Sequence, residues 1–157
     1  MESKAKIMGH AAHPILIVFP LGLLATGVVF DIIYMVTGRA DMASVAFWMI
    51  AAGIIGGLLA AIPGWIDWFA IPSGTRAKYI GLVHGLGNVV VLALFAASWY
   101  FRYDAPARPE MLASILSFAG AGLAVITGWL GGELVERLGV GVHDGANLNA
   151  PSSLTGK

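Results

Sequence analysis

The chain has 157 residues, of which 58% are hydrophobic and only 11% are charged. Soluble domains carry about 25% charged residues, so this composition excludes an ordinary water-soluble globule and a disordered chain. Nine basic and nine acidic residues leave no basic field that would attract nucleic acid. The absence of cysteine excludes disulfide scaffolds, thiolate-bound zinc, iron–sulfur clusters and covalently attached haem. The composition therefore predicts an integral membrane protein whose surroundings are the lipid bilayer.

Four apolar stretches are each long enough to cross a bilayer, which takes roughly 20 residues. They cover about residues 14–36, 42–66, 79–101 and 111–132. The connections between them are short, so neighbouring spans should run antiparallel. We therefore predict an all-α fold: an up-down bundle of four transmembrane helices within residues 1–138, followed by a polar tail at 139–157.

The basic residues that flank the spans predict the orientation of the bundle, because cytoplasmic loops carry an excess of Lys and Arg. The termini and the second connection share one side, with Lys4, Lys6, Arg76, Lys78, Arg137 and Lys157. The first and third connections share the other side, with Arg39, Arg102 and Arg108. The count of six against three predicts that both termini are cytoplasmic.

Small residues recur four apart in three of the spans, a spacing that lets membrane helices approach closely. They are Gly53 and Gly57, Gly81 and Gly85, and Gly120, Ala124, Gly128 and Gly132. The spacing favours helix contacts within one chain. It leaves open a homo-oligomer, or a flat cofactor laid against the bare backbone.

The ionisable residues near the span ends are distributed unevenly between the two ends of the predicted bundle. With antiparallel helices, the cytoplasmic end receives His10, His13, Asp67, His84, Glu133 and His143. The opposite end receives Asp31, Asp41, Asp104 and Glu110 and no histidine. Because the middle and outer halves of the spans look almost wholly apolar, a channel or carrier is disfavoured.

His84 lies inside the third span, where an ionisable residue is costly and usually functional. Asn88 follows four residues later and shares its helix face, so it is a candidate to hold one ring nitrogen of His84 or to bond another helix. Two histidines from facing helices suffice to clamp a b-type haem. We therefore predict His13 and His84 as axial ligands, with His10 as the substitute ligand.

Other polar residues would support such a haem. Asp67, Asn88 and Glu133 would orient the imidazoles, and Arg76 would pair with a haem propionate. The protein would then be a small membrane electron-transfer component with one site near the cytoplasmic face, an electron carrier more than a stand-alone enzyme.

Two alternatives use the same residues differently. In the first, His10, His13 and His84, with Asp67 or Glu133, hold non-haem iron, copper or zinc. In the second, the polar cluster only ties the cytoplasmic helix ends together, and the protein is a cofactor-free structural or assembly subunit of a larger membrane complex.

Short motifs with glycine, proline and histidine occur along nearly the whole chain. They are Gly-His-Ala-Ala-His-Pro at 9–14, Phe-Pro-Leu-Gly at 19–22, Pro63-Gly64 with Asp67, Gly-Thr-Arg-Ala at 74–77, His84 with Asn88, Leu-Gly-Gly-Glu-Leu at 130–134 and Gly-Val-Gly-Val at 139–142. In this combination the chain resembles the bacterial four-helix membrane proteins known as domain of unknown function 2231. That family usually shows His-Pro-x-His-Pro, whereas Ala11 stands here in place of the first proline.

The resemblance implies a four-helix fold in a bacterial inner membrane and brings no established activity. Some relatives are joined to Rieske-type or cytochrome-type electron-transfer domains, which implies by association a redox role and a redox partner protein. His143 ranks last among the candidate ligands.

Overall fold

The structure, a computed structural model, describes residues 1–154 and confirms an all-α architecture with four helices long and apolar enough to cross a membrane. The first span combines α1 (Ala12–Leu16) and α2 (Val18–Thr37), and the others are α3 (Ala40–Ala70), α4 (Arg76–Tyr100) and α5 (Met111–Gly132). A π-helical turn, Glu133–Arg137, follows α5 directly. Backbone hydrogen bonds from Ile17 to His13 and from Leu21 to Ile17 carry α1 into α2 without a break in direction.

The second span is longer than its apolar stretch. The sequence predicts its end near residue 66, whereas α3 continues to Ala70. The Lys78 ammonium donates a hydrogen bond to the Trp68 carbonyl oxygen at 2.7 Å and lies 3.9 Å from the centre of the Trp68 ring. A cation at a helix C-terminus satisfies free carbonyls and favours the helix dipole. Asp67 therefore lies within the last turn of α3.

A small hairpin precedes the first span. Strands β1 (Lys6–Ile7) and β2 (His10–Ala11) pair antiparallel. Their turn places Met8 at φ 49° and Gly9 at φ 85°, the positive values that two-residue hairpin turns require. Strands of two residues have no alternating pattern to read, which is why the sequence does not predict this hairpin.

The polar tail lies against the N-terminal segment. The Met1 ammonium donates to the Gly139 carbonyl at 2.9 Å, and the Gly141 N–H donates to the Met1 carbonyl at 2.9 Å. The carboxylate of Glu2 accepts a hydrogen bond from Lys6, which is the main reason why the pKa of Glu2 is lowered. Both terminal segments therefore lie at the same end of the bundle.

The helices pack as two hairpins, α2 with α3 and α4 with α5, which meet mainly along α3 and α4. Leu24, Ile50, Val91 and Phe95 form the buried core between them. A Cβ at Gly53 would lie 2.5 Å from Leu24 Cδ2, and one at Gly120 would lie 2.9 Å from Phe95 Cε2. These two glycines therefore bring helices of this chain together, as their spacing predicts.

A charged pair is buried at the end of the bundle away from the termini. The side chains of Asp31 in α2 and Arg102, just beyond α4, are both 0% exposed. The guanidinium Nη1 donates to Oδ1 at 2.5 Å and Nη2 donates to Oδ2 at 2.7 Å. Ser117 of α5 donates to Oδ2 at 2.9 Å, and Ser98 Oγ accepts from Arg102 Nε at 3.2 Å. The pair thus joins three helices.

This pair corrects one expectation. The sequence assigns Arg102 to the loop charges, but it lies inside the bundle, where Asp31 neutralises it. The end of the bundle that lacks histidine thus encloses an ion pair, with the hydroxyls of Ser98 and Ser117 bonded to it.

The single and double variants of this pair should differ sharply in stability. Arg102→Met leaves the Asp31 carboxylate buried without a partner, and breaking a buried pair in this way costs about 3–5 kcal/mol. Asp31→Leu combined with Arg102→Met removes both charges and should recover most of that loss. Thermal unfolding in detergent micelles measures both. A double variant as unstable as the single one would contradict this account.

Candidate functional site

His13 is the second residue of α1 and is held by the neighbouring helix. Its Nδ1 lies 2.8 Å from the carbonyl oxygen of Ala60 in α3. Pro63, three residues after Ala60, has no N–H and so removes the helix hydrogen bond to the Leu59 carbonyl. This loosens α3 at the turn that contacts His13.

His84 is held in the same way by the other hairpin. It lies in α4, and its Nδ1 is 2.8 Å from the carbonyl oxygen of Thr127 in α5. Each histidine therefore contacts the partner helix of its own hairpin through a backbone carbonyl.

The two imidazoles lie next to each other between the hairpins. Their ring centres are 6.3 Å apart and their planes are inclined by 87°. Because a carbonyl only accepts hydrogen bonds, each Nδ1 carries the proton and each Nε2 keeps a lone pair. A histidine whose Nδ1 donates to a carbonyl is oriented in the way typical of ligands that bind a metal through Nε2.

Asn88 lies beside His84 and contacts both its ring and the neighbouring helix, the two roles that the sequence leaves open. Its Nδ2 donates to the His84 backbone carbonyl at 2.9 Å, and its Oδ1 accepts from the Thr127 hydroxyl at 3.0 Å. Nδ2 is 3.3 Å from Nε2 and 3.5 Å from Nδ1 of the imidazole. Because Nδ1 lies on the Thr127 carbonyl, Nε2 is the ring nitrogen that can accept from the Asn88 amide. Thr127 supplies the carbonyl that orients His84.

Two glycines make room for the imidazoles. A Cβ built on Gly64 of α3 would lie 2.9 Å from His13 Nδ1, and one on Gly131 of α5 would lie 3.1 Å from His84 Cε1. Each glycine follows the residue whose carbonyl accepts the corresponding hydrogen bond, Ala60 or Thr127, by one helical turn. Each histidine therefore packs against bare backbone on the same helix that accepts its hydrogen bond.

Asp67 anchors the N-terminal segment. Its Oδ2 accepts from the Ser3 hydroxyl at 2.7 Å, and its Oδ1 accepts from the backbone N–H groups of Lys4 at 2.6 Å and Ala5 at 3.2 Å. The Ala12 N–H then donates to the Ala5 carbonyl at 2.8 Å. The Asp67 carboxylate thus holds residues 3–5 in place and, through the Ala5 carbonyl, the start of α1.

The remaining candidates contact other groups. Arg76 and Glu133 pair with each other, with Nη2 of the arginine 2.7 Å from Oε1 of the glutamate. His10 is exposed and its Nε2 lies 3.0 Å from the Ser153 hydroxyl, while His143 lies 3.2 Å from Glu2. Within residues 1–154, no group of three or more His, Cys, Asp or Glu side chains is placed to hold a metal ion. Among the predicted ligands, His13 and His84 lie next to each other in the part of the chain that the structure describes.

A family model described as "Predicted membrane protein (DUF2231)" matches residues 9–144. The chain belongs to the DUF2231 family. The resemblance inferred from the motifs is therefore confirmed, and the matched range includes both histidines of the facing pair. No curated protein matches the chain, and no solved structure does.

The DUF2231 motifs contain groups whose roles only the structure reveals. Pro63-Gly64 supplies the loosened turn and the space for His13, and Gly131 supplies the space for His84. The carbonyls of Ala60 and Thr127 leave no trace in a sequence, because every residue has one. The buried pair of Asp31 and Arg102 does leave a signal: an acid within one span and a base just after another, at the same end of the bundle.

The adjacent glycines 131 and 132 offer a matched test of the packing around His84. Gly131→Ala would press a methyl group against the imidazole, whereas a Cβ at Gly132 has no heavy atom within 4 Å. We expect Gly131→Ala to lower the free energy of unfolding by about 1–3 kcal/mol and to shift the NMR signals of the His84 ring. Gly132→Ala should do neither. Equal effects of the two variants would show that the imidazole is not packed against α5.

Proposed function

We propose that this membrane protein binds one b-type haem between His13 and His84 and serves as an electron-transfer component. The observation that supports the proposal is the facing pair of imidazoles, each with its Nδ1–H on a backbone carbonyl. This arrangement presents two Nε2 atoms on two different hairpins, and on His84 a metal would take the place of the Asn88 amide, 3.3 Å from Nε2.

The spacing of the rings fits a shared metal ion. Two imidazoles that each bind one ion through Nε2 at about 2.0 Å have ring centres roughly 5–6.5 Å apart, depending on the angle at the ion. The observed separation of 6.3 Å lies at the end of that range where the two ligands are opposite each other. His13 and His84 are therefore the residues that would hold a haem iron from its two sides.

The surroundings of the pair also fit a haem. The imidazoles fill the space at Gly64 and Gly131, whereas a Cβ at Gly128 or Gly132 would meet no heavy atom within 4 Å, so the backbone of α5 is open for a flat group on the adjoining turns. Arg76 lies two helical turns before His84 on α4, with a side chain that is 58% exposed, and is available to a propionate. Asp67 fixes the segment before His13, and Glu133 fixes Arg76.

A haem held by His13 and His84 would supply one-electron transfer, and with two histidine ligands it would offer no position for a substrate. The chain's own residues would hold the imidazoles in place and surround them with apolar helix faces. A carrier fits this arrangement better than an enzyme, and a carrier needs a redox partner protein at the membrane face nearest the site.

Optical and EPR spectra of detergent-purified protein, expressed with adequate haem supply, test this proposal. We expect a Soret band and sharp reduced α and β bands, which His13→Ala and His84→Ala should abolish. His10→Ala and His143→Ala are the matched controls and should retain the haem, since both side chains lie outside the facing pair. Because the imidazole planes are inclined by 87°, the oxidised protein should give the strongly anisotropic low-spin signal of perpendicular axial rings.

Three results would contradict the proposal. Stoichiometric metal without a Soret band would favour the non-haem site. Protein without metal or haem, but bound to a larger membrane complex, would favour the assembly subunit. Full haem content in His84→Ala would remove the ligand assignment.

We further propose that the site faces the cytoplasm of a bacterial cell, at the inner membrane. Because Arg102 lies inside the bundle and not in a loop, it no longer counts as a flanking charge. Six basic residues then flank the spans on the side of the termini, against two on the other side. A larger asymmetry of Lys and Arg specifies orientation more strongly. The same end of the bundle carries both terminal segments and the facing histidines.

Single cysteines test this orientation, because the chain has none of its own. Asp104→Cys lies in the third connection and Ser73→Cys in the second, and both positions are exposed. A membrane-impermeant maleimide should label Asp104→Cys in intact spheroplasts and Ser73→Cys only after lysis. The reverse pattern would place the termini and the histidines on the outside.

A further inference from the structure

Neither hydrogen bond of the facing histidines fixes the distance between their rings. His13 is bonded to α3 of the first hairpin and His84 to α5 of the second. Each bond therefore sets one ring within its own hairpin. The separation and the angle of the two rings depend on how the two hairpins dock against each other.

The first and third spans run in the same direction, and they carry matching residues at matching positions. Asp31 follows His13 by eighteen residues, and Arg102 follows His84 by eighteen residues. At 3.6 residues per turn, eighteen residues are five turns, or about 27 Å. Each charged residue therefore lies on the same face of its span as the histidine before it.

A third pair lies between these two. Leu24 follows His13 by eleven residues and Phe95 follows His84 by eleven residues, close to three turns. Both belong to the buried core cluster. The two parallel spans thus face each other across the bundle, with a histidine pair at one end, two core residues in the middle and an ion pair at the other end.

The ion pair is the directional contact among these three pairs. A guanidinium and a carboxylate in a two-bond fork accept little sliding or rotation, whereas apolar packing in the core cluster that contains Leu24 and Phe95 is non-directional. Ser117 of α5 and Ser98 of α4 restrict the fork further. The contact is fully buried, so water cannot replace either partner when the helices slide.

We propose that Asp31 and Arg102 are positioning residues that fix the register of the two hairpins and thereby set the separation and angle of His13 and His84. The inferred effect of the ion pair on the separation of the two rings rests on the contacts described above and needs no cofactor. The effect on a bound haem rests on the proposed function.

Spin labels on the cysteine-free chain measure this register without any cofactor. Ile15, two residues after His13, and Val83, directly before His84, are exposed, so a Cys pair at these positions reports the distance between the hairpins at the histidine end. In lipid nanodiscs the unmodified ion pair should give one narrow distance distribution. Arg102→Met, and the double variant Asp31→Leu/Arg102→Met, should shift and broaden it.

The double variant separates positioning from stability. We expect it to regain thermal stability while its distance distribution stays broad, because Leu and Met restore apolar burial but no directional contact. A distribution as narrow as that of the starting protein, in both variants, would overturn the proposal.

Ser117→Ala is a milder variant should the charge variants fail to fold. It removes one hydrogen bond to Asp31 and should broaden the distribution slightly, whereas Ser44→Ala, whose hydroxyl bonds the Ala40 carbonyl within its own helix, should not. Identical distributions for these two serine variants would count against the proposal.

Haem-loaded protein gives the second readout. Loss of register should convert the strongly anisotropic low-spin EPR signal into the rhombic signal of more nearly parallel rings and should shift the reduction potential. If the protein binds no haem, the proposed function fails and the spin-label distances still decide this inference. If haem binds and both readouts are unchanged in the variants, this inference fails and the proposed function stands.

Discussion

The enclosed charge of Arg102 constrains the arrangement of the whole bundle. Apolar helices between lipid tails gain little from hydrophobic burial against one another, so specific polar contacts contribute more to the choice of one packing over another. A buried guanidinium needs an anion and further acceptors within reach. Asp31 and Ser98 provide them, and each comes from a definite position on a definite helix. The fork is therefore satisfied in one docking of the two hairpins.

At the histidine end, Trp68 of α3 and Lys78 of α4 join the two hairpins, each side chain donating a hydrogen bond to the other's backbone carbonyl. His13 and His84 use the second lone pair of helix carbonyls that already accept hydrogen bonds within α3 and α5. Such bonds hold a neutral imidazole without introducing another charge into the bundle. They leave Nε2 of both rings outside these bonds, and on His84 this nitrogen lies 3.3 Å from the Asn88 amide. A ligand that replaced Asn88 there and bound both nitrogens would add a further link between the hairpins. The two ends would then differ in kind: a permanent ion pair at one, a ligand-dependent bridge at the other.

Much of this fold follows from the sequence, and part of the site does not. Hydrophobic length predicts the four spans, because a bilayer demands continuous apolar residues of a fixed extent. The one-sided distribution of histidines predicts that His13 and His84 belong together, since antiparallel spans bring their ends to the same face. The ion pair escapes prediction because Arg102 follows an apolar stretch and looks like an ordinary flanking charge. Only tertiary packing, which brings Asp31 to it, distinguishes a buried arginine from a solvated one.

The role of Asp67 also cannot be predicted from the sequence, because it depends on tertiary contacts. Those contacts explain how the first hairpin fixes His13. Ala60, Gly64 and Asp67 are spaced by four and three residues along α3 and so share one face. On that face, Ala60 accepts the imidazole hydrogen bond, Gly64 makes space for the ring, and Asp67 binds the N-terminal segment. A carboxylate at this position suggests a metal ligand when the sequence is considered alone, but three hydrogen bonds from residues 3–5 already occupy it. His13 is therefore held from both sides within one hairpin, and the docking of the two hairpins is the one variable left to set its distance from His84.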